Sequence, residues 1–123
     1  MILCEDWDAD PENPRRISIL GLLTNIHSLE DPPYPLLYPE LCVVLALTGG
    51  RGKGDAQIAC VLEETGQAIF ETPKRQVEFG PDPLEVLGFA FRIRDCRFTD
   101  PGMYSVQFWY NGRPLEERPL LLR

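Results

Sequence analysis

Leu87, Phe89, Phe91 and Ile93 alternate with Gly88, Ala90, Arg92 and Arg94, so apolar side chains recur at every second position. In an extended chain that period puts one set on each face, and LEVLGFAFRIR predicts a half-buried β-strand. DAQIACVLEE alternates likewise, with Ile58, Cys60 and Leu62 on one face and Gln57, Ala59, Val61 and Glu63 on the other. ELCVVLALT is a continuous apolar run of strand length, consistent with burial on both faces or with a place near the sheet centre. ILCEDW reads as the first strand. ISILGLLTNIHSL reads as an apolar, β-branched one, with Gly21 marking a bulge or bend. AIFETP and KRQVEFGP are short extended pieces. No apolar stripe of helical period competes: in PDPLEVLGFAF, the nearest candidate, the glycine and aromatics suit a strand better.

The breaks between these segments are turn chemistry. The chain carries 12 prolines and 10 glycines. DADPENPRR is all turn residues. EDPPYPLLYP, with four prolines, predicts an irregular surface connection that holds neither helix nor central strand. Asn111-Gly112, between YSVQFWY and RPLEERPLLL, is the signature of a two-residue type I′ hairpin. The glycine-rich loop GGRGKG at 49–54 lacks the spacing of a phosphate-binding loop. Leu47 stands where the first glycine belongs, Gly54 replaces Ser or Thr, and a strand follows where a helix is required. Its glycines predict positive-φ positions at a hairpin tip. Eight to nine short strands at regular spacing predict an antiparallel sandwich or barrel.

FTDPGMYSVQFWY resembles the D-x-G-x-Y-x-C segment of immunoglobulin domains, with Asp100, Gly102 and Tyr104 in the motif positions. The resemblance implies that Tyr104 turns its hydroxyl back onto upstream backbone at the corner entering the strand. Val106 stands in place of that family's cysteine, so the inter-sheet B–F disulfide cannot form. ISILGLLTNI, the proline-rich link, PELCVVLALTGGRG and PGMYSVQFWYNGRPLEERPLLL, in that order, are similar to a small bacterial family of single-domain proteins of unknown function. That resemblance implies a bacterial source and a stand-alone domain, and it supplies no catalytic residues. The expected fold is all-β: one antiparallel Ig-like β-sandwich of about seven to nine strands over residues 1–123.

Charge and cysteine content narrow the function classes. The formal net charge is −7, and an acidic chain repels phosphate backbones, so nucleic-acid binding is not expected. No run of eighteen apolar residues spans a membrane. MILCEDWDAD has no basic region and no long apolar core, so a native N-terminus predicts a cytoplasmic protein. Cys4, Cys42, Cys60 and Cys96 are spread through apolar runs without metal-ligand spacing. They are read as free buried thiols, with one disulfide as the alternative if the protein is exported.

Candidate chemistry is sparse. Asp6, Asp8 and Asp10 match the first, third and fifth positions of an EF-hand loop, but Pro11 and Ile17 occupy its glycine and glutamate positions. That leaves an acidic turn, or a looser calcium site. His27 is the single histidine, with no recognisable nucleophile setting around it. In the last hairpin Tyr104, Val106 and Phe108 form one row and Ser105, Gln107 and Trp109 the other, and the turn sets Trp109 opposite Pro114. A large outward aromatic is either a contact patch or lies under a neighbouring loop such as PPYPLLYP. The expected function is a non-enzymatic binding or assembly module, able to self-associate through a sheet face or edge, that engages a protein partner through Trp109, Tyr110 and Gln107 and uses no cofactor. Its alternatives are a small-molecule or carbohydrate binder and, behind that, a hydrolase using His27.

Overall fold

The two-residue period sorts the chain into strands that divide between two sheets. The computed structural model describes residues 1–13 and 16–123; the part of the expected turn at Pro14 and Arg15 lies outside them. In chain order the strands are β1 (Ile2–Ala9), β2 (Ile17–Leu22), β3 (Asn25–Ile26), β4 (Leu36–Thr48), β5 (Lys53–Leu62), β6 (Ala68–Glu71), β7 (Arg75–Glu78), β8 (Val86–Phe98), β9 (Gly102–Tyr110) and β10 (Arg113–Leu122). One sheet has the order β2-β1-β4-β8, the other β3-β10-β9-β5-β6 with β7 also on β5. All pairings are antiparallel except β3 with β10. No helix occurs among the described residues, so none is long and apolar enough to cross a membrane.

The inner faces of the two sheets meet in one core. Leu41, Val43, Phe91, Ile93 and Phe98 come from the four-stranded sheet, and Ile58, Cys60, Tyr104, Val106, Phe108 and Leu120 from the other. The alternation of β8 holds from Leu87 to Ile93, then changes phase at Asp95, whose φ of 55° lets Cys96 and Phe98 return to the core. β4 lies between β1 and β8, and its run Leu41–Leu45 is buried on both faces. At the β8–β9 corner, Tyr104 Oη donates to the Asp100 carbonyl at 2.7 Å and accepts from the Asp100 N–H at 3.4 Å.

Three expectations change. Among the described residues ten strands stand in place of seven to nine, because ISILGLLTNIHSL divides: β2 pairs with β1 in one sheet, and β3 joins β10 in the other. EDPPYPLLYP becomes a strand from Leu36 onward, with Pro39 inside β4. The β1–β4 ladder ends at Cys4–Cys42, so in its first half β4 is an edge, where a proline without an N–H is tolerated. The glycine-rich loop is no hairpin tip. β4 and β5 lie in different sheets, and the loop carries the chain across the sandwich. Gly49 and Gly52 do take positive φ, at 73° and 64°. Gly50 and Gly54 serve another end: a Cβ there would sit 2.3 Å from the Phe79 ring and 2.0 Å from Tyr110 Oη.

Candidate functional site

Three surface features carry chemistry, the first built on the last hairpin. Asn111 (φ 50°) and Gly112 (φ 76°) form its turn, as the type I′ geometry requires. Asn111 also ties the turn to β5: its Oδ1 accepts from the Asp55 N–H, and its own N–H donates to the Asp55 carbonyl, both at 2.9 Å. Trp109 stands on the outer face between Gln57 and Pro114. Its indole N–H donates to Gln107 Oε1 at 3.0 Å. Asp55, Gln57, Lys74, Asn111 and Gly112 surround it in a shallow cleft of about 320 Å³. The proline-rich connection does not lie there, for its Tyr34 packs against the main core. Tyr110 falls in the inward row: its half-buried ring lies over Gly54, edge-on to Phe79 at 6.3 Å. Of the three expected contact residues, Trp109 and Gln107 share the outer face and Tyr110 does not.

The second feature is the β2 edge. Ile17, Leu20 and Leu22 are 40%, 54% and 70% exposed. Among the described residues β2 has β1 on one side and no strand on the other, and ISILGL contains neither charge nor proline. Where the chain passes from β2 to β3 the apolar surface continues into a groove of about 700 Å³, floored by Ile2, Leu22, Met103 and Leu121. Sequence reasoning found β2 as a strand but missed its exposure, since edge status depends on pairings that no local pattern encodes.

The third lies on the outer face of the four-stranded sheet. Cys4 and Cys42 are fully buried there with Val44, and Trp7, Ile19 and Ala90 pack around them. Arg92 sits at the centre. It donates to Asp6 Oδ1 at 2.6 Å and to the Trp7 carbonyl at 3.0 Å, lies 3.6 Å from Glu40 and 3.8 Å from Cys42 Sγ, and stacks over the Trp7 ring at 5.1 Å. The Asp6, Glu40 and Cys42 ligand atoms lie within 4.8 Å of one another, but the guanidinium already supplies the cation there. Its hydrogen bond holds the Asp6 carboxyl below its ordinary range. Asp10 accepts the Glu12 N–H at 2.9 Å, so of the three aspartates read against an EF-hand Asp6 is engaged by Arg92 and Asp10 by the backbone of its own turn. Burial pushes Cys4 and Cys96 up to about 11 and Cys60 up to about 12. His27 is exposed beyond β3, and no hydrogen bond joins it to a serine or cysteine among the described residues.

No curated protein matches this sequence. The profile of a family of unknown function (DUF6941) matches residues 1–123, the whole chain, and the protein therefore belongs to that family.

Proposed function

We propose that the chain is a non-enzymatic assembly module, an Ig-like sandwich that self-associates by pairing the β2 edges of two copies. The Ig-like reading is supported by strand order. β1-β4-β8 corresponds to strands A, B and E, and β10-β9-β5-β6 to G, F, C and C′, with the tyrosine corner entering F. The four free thiols suit a reducing, cytoplasmic setting.

The β2 edge carries the functional reading. An edge strand presents unpaired N–H and C=O groups, which proteins ordinarily blunt with charge, proline or brevity. The other edges among the described residues are blunted so: β8 carries Arg92, Arg94 and Arg97, β10, paired by β3 only at Leu121 and Leu122, carries Pro114 and Pro119, β3 has 2 residues, and β6 and β7 have 4 each, with Glu71 on β6 and Arg75 and Glu78 on β7. Among the described edge strands longer than two residues, β2 alone carries neither charge nor proline. A second copy suits it because two uncharged strands meet without like-charge cost, although the chain as a whole is acidic.

Light scattering over a wide concentration range tests the reading. The expected result is a mass that rises with concentration in the wild type and in Trp109→Ala, and stays monomeric in Leu20→Lys. Dissociation by Trp109→Ala alone would move the contact to the other sheet. A monomer throughout would overturn self-assembly in favour of a foreign partner.

The Trp109 cleft favours a second reading, a weak site for a sugar or other neutral polar ligand. An aromatic face flanked by Asp55, Gln57 and Asn111 offers stacking with hydrogen bonds beside it. Saccharide titration followed by amide shifts around Trp109, absent in Trp109→Ala, is its expected signature.

A further inference from the structure

We propose that Cys4 and Cys42 are a hydroperoxide-responsive thiol pair that closes into an intramolecular disulfide between β1 and β4. The two are directly opposite in the antiparallel ladder, so their side chains leave the sheet on one face, and both are buried in the same small cluster. Directly paired residues have Cβ atoms roughly 4.5–5.5 Å apart, and a disulfide needs about 3.5–4.5 Å. Closure therefore asks β1 and β4 to approach by about an ångström, at the last of the three register pairs that join them.

The two thiols are not equivalent. Arg92 lies 3.8 Å from Cys42 Sγ, and its charge opposes the burial that raises the Cys42 thiol. Arg92 opposes burial at Cys4 too, but there its effect is smaller than the separate effects of Cys42 and Asp6, which raise the thiol further, whereas at Cys42 it exceeds the separate effects of Glu40 and Asp6. Cys42 is accordingly the attacking sulfur. Its thiolate takes one oxygen of the peroxide, the O–O bond breaks, and hydroxide leaves. The resulting Cys42 sulfenic acid is attacked by Cys4 sulfur, forming the S–S bond and releasing water. In sum, two thiols lose two hydrogens and one hydroperoxide is reduced.

The oxidant class follows from access. Both thiols are 0% exposed in a cluster covered by Trp7 and Ile19, and Cys42 also lies under an Arg92 side chain that is itself 37% exposed. An outward swing of that side chain admits a water-sized molecule, whereas a bulky disulfide oxidant needs the strands apart. Cys60 and Cys96 form an internal control: they lie in the main core between the sheets, with no cation among the influences on either thiol. Closure would also fix β1, the strand on which β2 rests.

The experiment treats the full chain with hydrogen peroxide, alkylates it under denaturing conditions, and maps the peptides by mass spectrometry. The expected product is a monomer with Cys4 linked to Cys42 and with Cys60 and Cys96 alkylated. In Cys4→Ser the reaction stops at a Cys42 sulfenic acid that dimedone traps, and Cys42→Ser gives no sulfenic acid at Cys4. Should either variant fail to fold, the wild-type map decides alone. A Cys60–Cys96 link formed first would overturn the proposal, as would four free thiols in the folded chain under conditions that oxidise the urea-unfolded one.

Discussion

Asn111 shows how much one side chain can settle. It adopts the left-handed conformation that the hairpin turn needs, and its amide oxygen accepts the Asp55 N–H. The turn was legible because Asn-Gly has a direct steric meaning; the bond to Asp55, on a strand 56 residues away in sequence, was not. Replacing Asn111 with alanine should cost about 1–3 kcal/mol, from the unpaired donor and the strained φ, read as a lower urea midpoint. Gly50 is the opposite case. Its lack of a side chain looked like conformational freedom, whereas the Phe79 ring occupies the space of its Cβ. Gly50→Ala should therefore destabilise by about 1–3 kcal/mol through overpacking. Gly49→Ala, with nothing within 4 Å, meets only the strain of its positive φ.

At the scale of elements, period told which residues are extended and which face each takes, but not which sheet receives a strand. Leu87–Ile93 and the β9 row Tyr104–Phe108 fall as their alternation predicts, and by that same alternation Tyr110 turns inward. The loop at 49–54 has the length and glycines of a hairpin and yet joins opposite sheets, because loop chemistry does not record the pairing of its flanking strands. β2 and β3 divide for the same reason. The β8–β9 corner offers a direct test of its geometry. Tyr104→Phe removes the hydroxyl that both donates to and accepts from Asp100, and should cost about 1–3 kcal/mol in a denaturant titration. A change within error would mean that the corner is held by the packing of Tyr104 on Phe98, at 5.1 Å between ring centroids.

For the whole molecule, the buried thiols set an alkaline limit. The folded state holds Cys4, Cys60 and Cys96 above the ordinary value of 9.0, so it favours their neutral form. Their contribution is complete below pH 9.0, the value for the unfolded chain, and is lost as pH rises from there through about 11 to 12. Urea midpoints should fall across that window, less steeply in Cys60→Ala; a flat profile would contradict the burial of the thiols. Asp6 works in the opposite direction. Its lowered value means that the Arg92 contact contributes at neutral pH and is lost as acid titrates Asp6 through its folded value.

Assembly is the central claim at this scale, and it rests on backbone groups at the free side of β2. Hydrogen exchange of the β2 amides at low and high protein concentration reads those groups directly. Edge pairing predicts that the amides of Ile17–Leu22 not bonded to β1 become protected as concentration rises, and lose that protection in Leu20→Lys. Exchange at β2 that stays fast at every concentration while the solution mass increases would place the contact elsewhere and contradict the account.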